Sequence, residues 1–204
     1  MKYYLSSYEF GDKTEKLKTL ALKGKIGYIP NARDFTNSDQ ERKAKRTVND
    51  MNSLRELGLE VELLNLQDYF GKRDELKKKL EQLGAIFISG GNVFILRQAM
   101  KLSGLDEILK ELQDTDFLYA GYSAAGCVLA PSLKGMDIVD PLDTPYAKQR
   151  EIIWGGLGFV DFHFMPHWNS DHPESADVEK EIAYCKENNI PYKAIRDGEV
   201  IIIE

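Results

Sequence analysis

The chain has 204 residues, which fits one domain at ~100–200 residues per domain. Apolar residues make up 43% of it, which argues against wholesale disorder, and no apolar run approaches the ~20 residues of a membrane span. A net charge of −6 argues against non-specific nucleic-acid binding, and two cysteines provide no disulfide framework or zinc pattern. The first residues lack the apolar core of a signal peptide. We therefore expect one cytoplasmic domain over residues 1–204, with no nucleic-acid or membrane partner.

Strands and helices alternate along the first 130 residues. Short apolar runs predict strands at Tyr3–Ser7, Lys25–Ile29, Glu60–Leu66, Ala85–Ser89 and Phe117–Gly121. Helical spacing predicts helices at Asp12–Leu22, Ser38–Leu57 and Lys72–Leu83, the second with a capping box of Ser38 and Glu41 and an apolar stripe of Ala44, Val48, Met51 and Leu54. This alternation predicts an α/β fold, a mostly parallel sheet with helices on both faces.

The regular alternation of strands and helices ends after residue 131. The polar segment Pro131–Glu151 contains three prolines and predicts a long surface loop, of the kind that is often functional. Regular elements then return, as a strand at Phe159–Met165, a helix at Glu174–Asn188 with Val178, Ile182 and Cys185 on one face, and strands at Tyr192–Ile195 and Glu199–Ile203.

Ser123 follows the last strand of the alternating region and precedes a run of small residues. A nucleophile elbow needs this arrangement, because its serine occupies a strained turn with positive φ between a strand and a closely packed helix. The N–H of Ala124 would then face an oxyanion. The alternative is an ordinary turn in which Ser123 caps the helix.

A second turn, Gly90-Gly91-Asn92, also follows a predicted strand. Glycines there let the backbone approach a ligand, and free N–H groups bind an oxyanion or carboxylate. A tight turn with an asparagine cap is the alternative. Because ligands bind at the carboxyl ends of parallel strands, the two turns predict Gly90, Asn92 and Tyr122 as substrate-binding residues.

Three histidines could supply a base. His167 follows Pro166 at a predicted strand end and is the best placed; His163 lies within the strand and is expected to pack, and His172 is expected to be solvated. Their spacing is a weak zinc pattern. Asp197, Glu199, Asp137 and Asp140 are all candidates for a carboxylate partner, and Cys127 is expected to be a small buried side chain rather than a second nucleophile.

These segments, in order, resemble the peptidase E family of serine peptidases, the dipeptidase E-like or aspartyl dipeptidase group. The segments that carry the resemblance are Gly90-Gly91-Asn92-Val93-Phe94, Gly121-Tyr122-Ser123-Ala124, Met136-Asp137-Ile138-Val139-Asp140-Pro141 and Met165-Pro166-His167-Trp168-Asn169. The resemblance covers nearly the whole chain and implies a class I glutamine-amidotransferase-like, flavodoxin-like fold.

The resemblance implies Ser123 as nucleophile, His167 as base and the N–H groups of Gly91 and Ala124 as oxyanion hole. Asp197 is the nearest match for the third member, with Glu199 as the alternative. The expected activity is hydrolysis of short peptides through an acyl-enzyme, by a monomer or homodimer without metal or cofactor. The alternatives are an impaired binding or regulatory protein and a hydrolase of another amide. Ser123 and His167 are expected within hydrogen-bond reach, directly or after a small loop movement.

The chain departs from the family pattern twice. Ala125 replaces a glycine and would distort the elbow if that position required positive φ. The segment Trp168–Glu181 lacks the arginine that would hold an acidic substrate side chain, and its own acidic residues would repel one. We therefore expect that Asp-X dipeptides are not preferred, unless Arg33, Arg150 or Arg196 supplies the cation.

Overall fold

The structure is a computed structural model, and it describes residues 1–21, 24–37, 39–146 and 151–204. Its strands are β1 Lys2–Ser6, β2 Lys25–Ile29, β3 Glu60–Leu63, β4 Ala85–Ile88, β5 Leu118–Tyr122, β6 His163–Met165, β7 Tyr192–Ala194 and β8 Val200–Ile203. Its α-helices are α1 Thr14–Leu20, α2 Gln40–Glu56, α3 Arg73–Leu83, α4 Val93–Ser103, α5 Leu105–Glu111, α6 Ala124–Cys127 and α7 Ser175–Glu187.

Six strands form the main sheet, in the order β3-β2-β4-β5-β1-β8. The first five of these are parallel to their neighbours, and β8 runs antiparallel to β1 at one edge. Strands β6 and β7 pair in parallel as a separate two-stranded sheet. The predicted α/β fold with a mostly parallel sheet is confirmed.

The main sheet is buried on both faces. Along β4, Ile86 and Ile88 pack into one apolar cluster, whereas Ala85 and Phe87 pack into another. Side chains alternate between the two faces of a strand, so each cluster covers one face of the sheet. Burial on both faces explains why a central parallel strand such as β4 is continuously apolar.

Helix α2 differs from its prediction in its cap and in its buried face. Ser38 lies outside the described residues, and the observed N-cap is Asp39, whose carboxylate accepts a hydrogen bond from the Arg42 N–H. Ala44 and Val48 are exposed, Val48 to 53%, so half of the predicted stripe is wrong. Met51 and Leu54 are buried as predicted, together with the polar residues Thr47 and Asp50. The buried face includes Asp50 because Arg33, Tyr28 and Tyr122 pair with its carboxylate.

The boundaries of three other elements also differ from the predicted ones. Strand β3 ends at Leu63 because Asn65 caps a 3₁₀ helix at Leu66–Tyr69. The strand predicted at Phe159–Met165 is regular only over its last three residues, and the helix predicted at Asp12–Leu22 ends at Leu20, with Leu22 outside the described residues.

The segment after β5 is not confined to the surface. Leu133, Met136 and Tyr146 are buried within it, and residues 147–150 lie outside the described part of the chain. The segment therefore contributes to the core as well as connecting β5 to β6.

The pairing register brings several strand ends to one edge. Ser6 pairs with Tyr122, and Ile88 pairs with Gly121, so β1, β4 and β5 end beside one another. Ligands bind at this edge in open parallel sheets. Among the described residues, no helix combines the length and apolar character that crossing a bilayer requires.

Candidate active site

Ser123 forms a strained turn between β5 and α6. Its φ is 49° and its ψ is −110°, which confirms the predicted positive φ. Its N–H donates to the Ser6 carbonyl at 3.1 Å, and its own carbonyl accepts from the N–H of Gly126 at 2.8 Å. Its side chain makes no capping hydrogen bond to α6. A non-glycine residue in such a conformation costs ~1–3 kcal/mol, so the surrounding structure holds the strain.

Ala125 does not disturb this elbow. It is buried in α6 and is absent from the described residues with positive φ. A Cβ placed on Gly121 would collide with the Ala125 methyl group, so the glycine in β5 leaves room for the alanine. Gly126 likewise lies against the Phe164 ring of β6. The departure at position 125 is therefore accommodated.

The glycine turn after β4 lies against the elbow. A Cβ on Gly90 would contact the Tyr122 ring and approach the Ser123 Cβ to 3.1 Å. Gly91 has φ 144°, and a side chain there would collide with the Ala32 carbonyl. Neither the Gly91 N–H nor the Ala124 N–H donates a hydrogen bond to any described residue. Both are therefore available to an anion at the sheet edge.

Two of the three predicted substrate-binding residues line the adjoining cleft. These are Gly90 and Tyr122. Asn92 is fully buried, and its side chain caps α4 by accepting from the N–H groups of Phe94 and Ile95. The structure therefore assigns Asn92 to the alternative function of a helix cap.

His167 is held by Asp197 and Ser7. Its Nδ1 lies 2.7 Å from Asp197 Oδ1, and its backbone N–H donates to Ser7 Oγ at 2.7 Å. The Ser7 hydroxyl in turn donates to the same Asp197 oxygen at 2.7 Å. Glu199, the alternative third member, instead accepts a hydrogen bond from the Arg196 N–H. Among the candidate carboxylates, the structure therefore brings Asp197 to His167.

Burial lowers the pKa of His167 below its ordinary value, and the neighbouring His172 lowers it further, while Asp197 acts in the opposite direction. The imidazole is therefore neutral near pH 7. His172 is half-buried, and its ring stacks on His167 with centroids 3.7 Å apart, so the expectation that it is solvated is wrong. Asp197 accepts from Nδ1–H, which leaves Nε2 as the acceptor for a proton.

Ser123 and His167 line one cleft of about 650 Å³. No hydrogen bond joins their side chains in the described structure, and Glu174 Oε2 lies 3.9 Å from His167 Nε2. Catalytic hydrogen bonds are often long before substrate binds, so the predicted contact after a small movement stays a prediction. Sequence reasoning missed Ser7 and Glu174. The position of Ser7 directly after β1 was the one available signal.

The cleft is basic, contrary to the expected acidic environment. Of the acidic residues after His167, only Glu174 contributes to its described lining. Its cations are Arg33, Arg42, Lys43, Lys45 and Arg46. Arg150 lies outside the described residues, and Arg196 stacks on Trp168. An acidic substrate group would therefore meet cations here.

The other residues considered for a catalytic function lie in different environments. The Asp137 carboxylate accepts from the Gly135 N–H, and that of Asp140 accepts from the Val93 N–H. Burial, together with nearby carboxyls, raises the pKa of the Cys127 thiol well above its ordinary value, which argues against a second nucleophile. His163 is buried in β6, as expected of a packing residue.

His167, His172 and Glu174 bring three possible metal-binding atoms within 4.8 Å of one another. The two imidazole planes are only 13° from parallel, however, and the rings are stacked. Nitrogen lone pairs lie in the ring plane, so an ion between two stacked rings would lie outside both lone-pair directions. The arrangement does not present converging ligands.

An α/β sheet that carries a strained serine, a neutral histidine and a carboxylate at one edge is typical of serine hydrolases. The model of peptidase family S51 matches residues 8–204. The chain belongs to this family, and the membership supports a serine-type peptidase.

Individual proteins show the same relationship. The chain is 30% identical over 118 residues to the uncharacterized peptidase Lmo0363 of Listeria monocytogenes, covering 58% of this chain and 55% of that protein. It is 28% identical over 131 residues to Peptidase E of Streptomyces coelicolor, covering 62% of this chain and 51% of that protein. These matches span about half the length of the two relatives.

Two solved structures have a fold similar to that of this chain. A crystal structure of a candidate peptidase E protein from Listeria monocytogenes EGD-e is similar, with a TM-score of 0.70 and 25% identity over 100% of this chain and 98% of that one. A peptidase from an acI-B1 actinobacterium matches with a TM-score of 0.66 and 18% identity, over 100% and 83% of the two chains, and supports the fold alone.

Proposed function

We propose that this protein is a serine peptidase that hydrolyses short peptides, with Ser123 as nucleophile, His167 as base and Asp197 as the group that orients the base. The observation that carries the proposal is the strained Ser123 backbone at a cleft shared with a histidine whose Nδ1 lies 2.7 Å from a carboxylate. Family membership adds independent support.

In the first step, Ser123 Oγ attacks the peptide carbonyl carbon, and its proton passes to His167 Nε2. The N–H groups of Gly91 and Ala124 stabilise the negative oxygen of the tetrahedral intermediate. The C–N bond then breaks, and the imidazolium gives its proton to the leaving amine. Asp197 stabilises the imidazolium and fixes the tautomer that keeps Nε2 free.

In the second step, water attacks the acyl-enzyme ester. His167 takes a proton from the water and returns it to Ser123 Oγ when the ester bond breaks. The lowered pKa of His167 suits this function, because a base must be unprotonated at the working pH. The single-domain organisation over residues 1–204, the cytoplasmic location and the monomeric or homodimeric state stay predictions.

Two measurements test the proposal together. A fluorophosphonate should label wild-type Ser123, and a dipeptide library should reveal turnover that falls by several orders of magnitude in Ser123→Ala. Ser132→Ala, a serine outside the cleft lining, should retain full activity. Neither labelling nor turnover would favour the binding or regulatory protein. Labelling without peptide turnover would favour a hydrolase of another amide.

A further inference from the structure

A buried carboxylate that takes no part in the proposed reaction is hydrogen-bonded to the residue before the nucleophile. This is Asp50 on α2, which is 4% exposed and is not among the described residues that line the cleft. Its Oδ2 accepts hydrogen bonds from the hydroxyls of Tyr28 at 2.5 Å and Tyr122 at 3.2 Å, and from the Arg33 guanidinium at 2.8 Å. A buried acid needs such partners, because an unpaired charge is costly away from water.

Tyr122 connects this carboxylate to the elbow. It is the last residue of β5, it directly precedes Ser123, and it is 3% exposed. Burial raises the pKa of the Tyr122 phenol and outweighs the opposing effect of the Arg33 guanidinium. The phenol therefore keeps its proton near pH 7 and donates it in the hydrogen bond to Asp50.

The Tyr122 ring also contacts the glycine turn after β4. A Cβ on Gly90 would come within 2.5 Å of a carbon of this ring and within 3.1 Å of the Ser123 Cβ, so the ring packs directly against the Gly90 backbone. The next residue is Gly91, whose N–H is one of the two proposed oxyanion donors. The position of this one ring therefore affects the spacing between the nucleophile and an oxyanion donor.

Both oxygens of Asp50 face cations, which limits the movement of its side chain. Oδ1 lies 3.5 Å from Arg46 Nε on the same helix, and Oδ2 accepts from Arg33. The Arg33 guanidinium donates to the Tyr122 hydroxyl as well, so Asp50, Arg33 and Tyr122 all contact one another. A fully paired polar network of this kind is rigid.

We propose that Asp50 is a positioning residue, which aligns Ser123 with the glycine turn by holding the Tyr122 hydroxyl. The inference rests on the proposed peptidase function and deepens it. Alignment matters for the rate, because a displacement of about 1 Å in a reacting group can cost about a hundredfold. Since Asp50 does not line the cleft, its loss should lower kcat more than it raises KM.

The experiment compares matched substitutions at two buried arginine–aspartate pairs. Asp50→Asn removes the charge and keeps the shape, and Asp106→Asn does the same at the pair with Arg97, whose contact of 3.0 Å lies outside the described cleft lining. We expect Asp50→Asn to lower kcat for a dipeptide at least tenfold and to change KM less than threefold. Asp106→Asn should melt at a lower temperature and keep the wild-type kcat. Equal kcat losses in the two variants would overturn the positioning function.

Tyr122→Phe tests the same contact even if Asp50→Asn does not fold. It keeps the ring against Gly90 and removes only the hydroxyl that Asp50 holds. We expect kcat to fall threefold or more. The double variant should be no slower than Asp50→Asn alone, because two residues that act through one contact are not additive. An unchanged kcat in Tyr122→Phe, or additive losses in the double variant, would overturn the proposal.

The rate of fluorophosphonate labelling separates this proposal from the peptidase function. Labelling needs an aligned Ser123 but no peptide, so it should be at least tenfold slower in Asp50→Asn. Equal labelling rates in this variant and the wild type would overturn the positioning function and leave the peptidase standing. Slower labelling of Asp50→Asn, with no peptide turned over by the wild type, would overturn the peptidase and support the positioning of Ser123. A wild type that is not labelled would overturn both.

Discussion

The Ser7 hydroxyl donates a hydrogen bond of 2.7 Å to Asp197 Oδ1, the oxygen that also lies 2.7 Å from His167 Nδ1. The same hydroxyl oxygen accepts from the His167 backbone N–H. Ser7 is fully buried and directly follows β1. One side chain next to the main sheet therefore joins the two loops that carry the proposed base and its partner.

We predict that Ser7→Ala lowers kcat about tenfold or more with a smaller effect on KM. The substitution leaves a buried N–H and a carboxylate oxygen each short of one partner, which costs ~1–3 kcal/mol and loosens the imidazole. Steady-state kinetics and the circular-dichroism melting curve would check this. Ser103→Ala, at a buried serine on α4 whose hydroxyl donates to the Ala99 carbonyl, is the control. Unchanged kcat in Ser7→Ala would show that Ser7 does not position the base.

Much of the fold could be predicted from the sequence, because the apolar pattern of a strand or helix is visible within a short segment. The parallel strands were recognisable from runs such as Ala85–Ile88, which is buried on both faces. Helix α2 shows where the periodicity fails. Its exposed Val48 and buried Asp50 reverse the usual polarity, since Arg33 and Tyr28 pair with that carboxylate only in the folded chain.

The candidate site also contains residues that could be predicted from the sequence and residues that could not. Ser123 could be located because an elbow imposes a local pattern of strand, serine and small residues. Its positive φ, which local sterics disfavour, could be expected because an elbow requires that geometry. Ser7 and Glu174 have no such pattern. Their proximity to His167 depends on how β1 and the loop before α7 meet in three dimensions, which no local spacing encodes.

The stacked His172 predicts a shift in the pH profile. His172 lowers the pKa of His167, so removing the His172 imidazole should raise the pKa of His167. In His172→Phe, the acid limb of kcat/KM should therefore move to higher pH, because His167 must lose its proton before it acts as base. Phenylalanine preserves the aromatic stack. A stopped assay across pH 4.5–8 would measure the limb, and an unchanged or lower midpoint would contradict the coupling.

The basic cleft predicts a preference for a free carboxyl terminus. Arg33, Lys43 and Arg46 are engaged in ion pairs, whereas Arg42 and Lys45 make none with the described residues. We expect the double variant Arg42→Gln/Lys45→Gln to raise the KM of a dipeptide about three- to tenfold, since exposed charge pairs contribute ~0.2–1 kcal/mol each.

The corresponding dipeptide amide, which lacks the carboxylate, should be affected little. Lys78→Gln, on the exposed surface of α3, provides the control. Equal KM increases for the acid and the amide would show that these cations do not contact the carboxylate. The expectation that Asp-X dipeptides are not preferred stays a prediction. One of its premises was repulsion by the acidic residues after His167, of which only Glu174 lines the described cleft, so a panel of Asp-X, Ala-X and Lys-X dipeptides would decide it.

The buried acids Glu181 and Asp140 predict that stability falls as pH rises. The folded pKa of Glu181 is about 8 and that of Asp140 about 7, both above the ordinary ~4 of unfolded carboxyls. The folded state therefore binds more protons between about pH 4 and pH 8, so each group contributes stability at low pH that is lost as pH rises through the folded pKa.

Glu181→Gln removes one of these titrations. We expect the variant to gain stability relative to the wild type between pH 5 and pH 8, by at most about 1.4 kcal/mol per pH unit for a single group. Urea unfolding at several pH values would measure the difference, with Glu179→Gln as the control that follows the wild type. A constant difference across this range would contradict the raised pKa of Glu181.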